Sequence, residues 1–198
     1  MEYASKEVLL KSGKTCLLRL AEERDAEMLL EYLKVTSGET PYMVREPEEV
    51  RTSVEEEVEF IRKNRENPWA LHLLAFADGV LAGSCSFAGN SERIRMRHRC
   101  TVGISLYRAF WGMGIGTVLL GEILDAAGTV GYEQAELEVV STNEAAVGLY
   151  KKFGFQVTGT IPRAFRYRDG SYADFLFMVK DLTKPQLTTY IRQVSCPL

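Results

Sequence analysis

The stretch Trp111-Gly112-Met113-Gly114-Ile115-Gly116-Thr117 holds the best chemical signal in the chain. Three glycines at alternate positions let a backbone turn sharply and bring its N–H groups close to a ligand. A strand-like run precedes them and a helix-like run follows. A helix that starts at such a loop adds its free N–H groups and the positive end of its dipole. Together these features make a cradle for a phosphate or pyrophosphate. A Walker loop is excluded, because no lysine follows the last glycine. The spacing is G-x-G-x-G and not the G-x-G-x-x-G of a dinucleotide fingerprint. Taken alone, the glycines also fit a plain flexible turn.

Other residue types that could move protons lie downstream and upstream. Tyr150 carries a phenol with an ordinary pKa of ~10, protonated at neutral pH and able to donate. Its helix face, Ala146, Leu149, Tyr150 and Phe153, also fits a core tyrosine. Glu138 interrupts the apolar run Leu137-Glu138-Val139-Val140. A carboxylate inside a covered strand is costly unless it is bonded or faces a cleft. His98 is a second titratable candidate for a base. Asn143 reads as a helix N-cap, and Ser141 with Glu144 makes a capping-box pattern beside it.

The elements that must position these groups follow from periodicity. Thr15 to Leu20 reads as a strand and Ala21 to Val35 as a helix. Thr52 with Glu55 suggests a capping box opening a second helix. Leu71 to Ala77 and Val80 to Phe87 flank Asp78-Gly79, a strong hairpin signal. Cys100 to Leu106 suits a strand, Thr117 to Val130 a helix and Gln134 to Val140 a strand. Glu144 to Phe153 reads as a helix stopped by Gly154. Phe155 to Ile161 and Ala173 to Lys180 complete the strands. Trp69 reads as core. The order implies a mixed sheet covered by helices, an α/β (α+β) class.

Bulk composition narrows the partners. The chain has 198 residues, 46% hydrophobic and 26% charged, with a net charge of -3. That is enough for one domain with a sizeable core and argues against a protein built for nucleic acid. The cluster Arg93, Arg95, Arg97, His98, Arg99 is the local exception and reads as a solvated hairpin. No apolar run approaches the ~18 residues of a membrane span, and the N-terminus lacks a signal-peptide plan. Cys16, Cys85, Cys100 and Cys196 form no C-x-x-C pair. The expectation is a reduced, cytoplasmic protein without a metal site.

The ordered motifs resemble those of the GNAT superfamily of N-acetyltransferases. Gly114-Ile115-Gly116 matches the glycine half of that family's Q/R-x-x-G-x-G/A loop, with Trp111 departing at the Q/R position. Phe110-Trp111-Gly112-Met113-Gly114-Ile115-Gly116 is similar to the Y-W-G-x-G-I-G variant. That variant belongs to the branch of ribosomal-protein alanine and spermidine acetyltransferases. Leu18-Arg19-Leu20 with Glu23 to Ala26, Val102 to Leu106, and Asn143 to Ala146 with Leu149 to Phe155 resemble further family motifs. Asp169 to Asp174 resembles the closing hairpin.

The resemblance implies a mostly antiparallel sheet of six to seven strands flanked by helices, with a bulge that splays the fourth strand from the fifth. It implies one N-acetyltransferase domain over 1–198, with a core about 15–182 and an extension over 183–198. It implies acetyl-CoA as co-substrate. The backbone amides of Met113, Gly114, Gly116 and Thr117 would hold its phosphates, within a binding stretch of Trp111, Gly112, Ile115 and their neighbours. Ile104 and Leu106 would hold its arm, and Asn143 would touch it. Tyr150 becomes the general acid and Glu138 the base, directly or through water. The acceptor would be a primary amine: a protein N-terminus, polyamine, amino acid or aminoglycoside. Glu39 to Met43 would form one lip of its site, and the tail an extra helix or a dimer contact. The rival expectation is a module that senses acyl-CoA without turnover.

Overall fold

At Asp78 and Gly79 the backbone enters the left-handed region twice in succession, with φ of 50° and 78°. That geometry makes the tight turn whose twist matches two antiparallel strands. It joins β3 (Ala70–Ala77) to β4 (Val80–Gly89). The computed structural model describes residues 3–10, 12–89 and 93–184. The expected extension from residue 185 onward lies outside the described residues, as do Cys196 and the proposed dimer contact.

Among the described residues, eight strands make one sheet in the order β1-β2-β3-β4-β5-β6-β8-β7. The others are β1 (Lys6–Leu9), β2 (Thr15–Leu20), β5 (Arg99–Leu106), β6 (Gln134–Val140), β7 (Gln156–Arg166) and β8 (Tyr172–Asp181). Of these strands, only β5 and β6 pair in parallel among the described residues. β1 exceeds the expected count. It is only four residues long, too short to show a period. Among the described residues, four helices flank the sheet: α1 (Ala26–Glu39), α2 (Val54–Glu66), α3 (Ile115–Val130) and α4 (Glu144–Lys152).

The two faces hold different cores. Leu73, Cys85, Leu119, Ile123 and Met178 are fully buried beneath α3 and α4. A smaller cluster of Leu29, Tyr32, Ile61, Leu74 and Leu81 packs α1 and α2 on the opposite face. These two helices reach the β2–β4 half of that face, and the β6–β8 half remains open.

Local chemistry moves several expected boundaries. A 3-10 turn at Glu23–Asp25 precedes α1. It forms because the Asp25 carboxylate accepts from the Glu22 amide at 2.8 Å. The second helix is capped one residue later than expected. Ser53 Oγ accepts from Glu56 N at 3.2 Å, and Glu56 Oε2 accepts from Ser53 N at 2.8 Å. Trp69 is 50% exposed. It leans edge-on against Tyr132 at 5.9 Å instead of entering the core.

His72 illustrates burial at its least forgiving. Its Nε2 lies 2.7 Å from Ser84 Oγ, while Nδ1 is buried without a partner among the described residues. Burial pushes its pKa down to about 4 from 6.5, with the Asp25 charge opposing. The unfolded chain therefore binds the extra proton first. Stability is full above pH 6.5 and falls as the pH drops toward 4, by up to roughly 3 kcal/mol. Urea denaturation at pH 7.5 and pH 5 should show that loss, and His72→Gln should remove the His72 share of it.

Candidate active site

The site begins where β5 and β6 part. Their parallel pairing covers Arg99↔Gln134, Cys100↔Ala135 and Thr101↔Glu136, then stops. β5 continues against β4 in unbroken register as far as Gly83↔Leu106. Tyr107 N donates to Ala82 O at 3.0 Å. That bond makes Gly83↔Leu106 a pair without mutual hydrogen bonds. By alternation, the N–H and C=O of Ile104 and Leu106 point away from β4 and into the gap. The expected bulge is not in β5. Ala75↔Gly83 is followed by Phe76↔Leu81, so the extra residue is Ala82 of β4.

The glycine loop closes the head of this gap. Gly112 and Gly114 adopt φ of 74° and 88°, values that a side chain would strain. Thr117 N and Val118 N both donate to Gly114 O, at 3.0 and 3.2 Å. The amides of Ile115 and Gly116 come before those bonds and have no helical carbonyl to meet. Thr117 departs from expectation here, because its amide is engaged within the helix. The Ile115 side chain is fully buried, so only its backbone can face a ligand. A Cβ on Gly116 would lie 3.5 Å from Leu106 Cδ1 and Leu149 Cδ2. Trp111 donates its indole Nε1 to Leu106 O at 3.1 Å. One of the outward groups of Leu106 is thus held by the side chain that replaces the family's Gln or Arg. Left-handed glycines, unspent amides and an open strand edge fit a pyrophosphate joined to an extended polar arm.

Asn143 follows the end of β6. Its Oδ1 accepts from Ala146 N at 3.2 Å and caps α4. The Ser141–Glu144 box does not form; Ser141 N instead donates to Asp174 O at 2.8 Å. Tyr150 lies on the inner face of α4 at 7% exposure, with its ring 5.8 Å from Phe155. Among the described residues its hydroxyl has no hydrogen-bond partner. Burial, and then the nearby Cys85 thiol, push its pKa well above the ordinary tyrosine value.

Glu138 sits two residues past the last β5–β6 pair and is exposed. It shares the α1-side face with Glu136, and Ser105 of β5 meets Tyr32 of α1 there at 2.8 Å. Tyr150 belongs to the α3–α4 side. The two candidates therefore flank the gap from opposite faces. His98 is not brought to them. It lies in the turn before the closed end of β5, where its carbonyl accepts from Glu133 N and Gln134 N. Of the arginine cluster, Arg99 forms a forked pair with Glu136, and Arg93, Arg95 and Arg97 are exposed.

Sequence reasoning missed the contributions of Phe175 and Phe177. Tyr42 donates its hydroxyl to Thr142 O at 3.3 Å. Arg168 of the β7–β8 hairpin pairs with Glu46 at 3.1 Å and with Glu48. The segment between α1 and α2, which contains the stretch expected to form a lip, thus straps across the open face through Tyr42, Glu46 and Glu48. Alternation along β8 was the available signal for the two phenylalanines. Among the described residues, no group of three or more His, Cys, Asp or Glu could hold a metal ion.

Comparison with known proteins places this geometry. The model of the acetyltransferase (GNAT) family matches residues 29–155. The chain is 27% identical over 116 residues to the L-amino acid N-acetyltransferase AaaT of Escherichia coli, covering 58% of this chain and 70% of that protein. It is 42% identical over 86 residues to the N-alpha-acetyltransferase RimI of Mycobacterium tuberculosis, covering 43% and 49%. The crystal structure of a GNAT-family acetyltransferase from Streptococcus pneumoniae superposes with a TM-score of 0.80 at 31% identity. It covers 84% of this chain and 99% of that one. A parting between β5 and β6 headed by a glycine loop, on this sheet and with these matches, makes the chain a member of the GNAT acetyltransferase family, whose co-substrate is acetyl-CoA.

Proposed function

We propose that the chain moves an acetyl group from acetyl-CoA directly onto a primary amine, both held together in the β5–β6 gap. The observation that carries this reading is the outward backbone edge of Ile104 and Leu106, running up to the amides of Ile115 and Gly116. Such an edge can pair with the amide-rich arm as an added strand would. The loop amides meet the pyrophosphate. Met113, Gly112 and Gly114 shape the loop, Asn143 borders the arm, and Trp111 holds the loop to β5.

The amine nitrogen attacks the thioester carbonyl and the carbon–sulfur bond breaks. Tyr150 gives its proton to the departing sulfur. Glu138, directly or through a water it orients, takes the proton that the amine sheds. Direct attack is supported by the thiols. Burial pushes Cys16 up to about 11 and Cys100 up to about 12, with the Glu136 charge adding to the latter. Cys85 is buried and raised further. None of these offers a thiolate near neutral pH to carry the acetyl group.

Glu138→Gln tests the base. kcat/KM for the amine should fall about 100-fold near neutral pH. The deficit should shrink at high pH, where the amine is already unprotonated in solution. Thiol release measured from pH 6.5 to 9.5 gives the profile. An unchanged profile would remove Glu138 from the mechanism.

A further inference from the structure

The class of acceptor follows from the floor of the cleft, granted the transfer reading above. Glu138 pairs opposite Phe177, and Val140 opposite Phe175, across β6 and β8. Residues opposite one another in an antiparallel pair share a face, and every second residue returns to it. Phe175 and Phe177 therefore lie on the face of Glu138. Phe165 packs on Phe175 with ring centroids 5.7 Å apart, and Ile161 pairs opposite Phe175. Phe177 is 37% exposed and Ile161 is 42% exposed. The floor is thus apolar, open and adjacent to one carboxylate.

The acidic groups nearest Glu138 along β6 and on the strap are already engaged, by cations or, for Glu39 and Glu49, by backbone amides. Glu136 is held by Arg99, and Glu46 and Glu48 by Arg168. Glu138 has no ion-pair partner among the described residues. A polyamine or aminoglycoside brings several ammonium groups, each of which needs a carboxylate or water. Aromatic rings would strip the water and return to each further ammonium only a cation–π contact, weaker than pairing with a carboxylate. One carboxylate beside three rings suits one ammonium group and one apolar group. The strap from α1 brings Tyr42 to Thr142, just past the end of β6 and beside this floor. We infer that the acceptor is a monoamine carrying an aromatic or large aliphatic group next to its amine-bearing carbon. It is either a free small molecule or the first residue of a peptide.

The experiment measures thiol release by the full chain at saturating acetyl-CoA. The panel holds 2-phenylethylamine, free phenylalanine, a phenylalanine-initiated tetrapeptide, spermidine and kanamycin. A parallel arm records the melting temperature with and without acetyl-CoA. At least one of the three aromatic monoamines should exceed both polycations in kcat/KM by about tenfold or more. The best of the three tells a free amine from a peptide end. Phe177→Ala should reduce that preference about tenfold while the melting shift with acetyl-CoA persists. Phe177→Glu should move the preference toward spermidine. A polycation equal to or better than every monoamine overturns the inference. So does a preference that survives Phe177→Ala, or a panel in which no aromatic amine reacts although acetyl-CoA raises the melting temperature. No melting shift and no thiol release overturns the transfer reading itself, and the inference with it.

Discussion

Tyr150→Phe should lower kcat about 100- to 1000-fold and leave acetyl-CoA affinity nearly unchanged. The substitution removes one oxygen and keeps the ring that packs 5.8 Å from Phe155. The helix and its core contacts should therefore survive. The hydroxyl has no hydrogen-bond partner among the described residues, so its loss leaves no buried group orphaned. What disappears is a proton donor for the sulfur, and general acid catalysis contributes about 10²–10⁴-fold. Burial holds the phenol protonated through neutral and moderately alkaline pH. An alkaline fall in rate should therefore not report its titration. Single-turnover thiol release separates the effect from binding. Equal losses in affinity and rate would assign Tyr150 to packing.

Asp25→Ala should cost about 3 kcal/mol of stability, the low end for breaking a buried ion pair. In a chain of this size that corresponds to roughly 6–12 °C in melting temperature. Arg19 donates to Asp25 through Nη1 at 2.6 Å and Nη2 at 2.8 Å. The side chains are 16% and 6% exposed. Without the carboxylate, Arg19 keeps its charge over the Phe76 ring, 4.4 Å away, with only the weaker influence of Glu22 to offset it. The Glu22 amide loses its acceptor as well. Burial works to raise the Asp25 carboxyl, but Arg19 and the Glu22 amide outweigh it, so it titrates below its ordinary range. Its stabilisation is therefore present above the ordinary carboxyl pKa and is lost as the pH falls through the lower folded value. The damage should reach function, because this turn opens α1, and α1 carries Tyr32 to Ser105 of β5. Thermal unfolding of Asp25→Ala and Asp25→Asn checks the size. A shift under 2 °C in both would show that the pair contributes little.

The elements around the gap were legible for identifiable reasons. Asp78-Gly79 forces a left-handed turn, and only a hairpin uses it. α3 carries apolar residues at helical spacing, and β6 was legible to the residue. The gap itself is a relation between β5 and β6, and no local pattern records where two strands stop pairing. The one extra residue nearby lies in the β3–β4 pairing, where a small alanine in an ordinary apolar run gives no sign. Cap positions shifted for a similar reason. Thr52 and Ser53 both precede a glutamate by three residues, and tertiary contact decides which one caps. Tyr150, Glu138 and the glycines were identifiable by type and order. Their placement on opposite faces of the gap required the sheet. The floor proposed for the acceptor was not legible, because Phe175 and Phe177 read as plain strand residues until the open face was known.

Amine-dependent thiol release from acetyl-CoA tests the central claim most directly, with the amine product examined by mass spectrometry. One acetyl group should appear on the amine for each thiol released, with no acetylated protein at any stage. Acetyl-CoA that raises the melting temperature but releases no thiol with any amine would contradict transfer and leave a binding module. Acetyl groups accumulating on the chain before the amine is added would contradict direct attack.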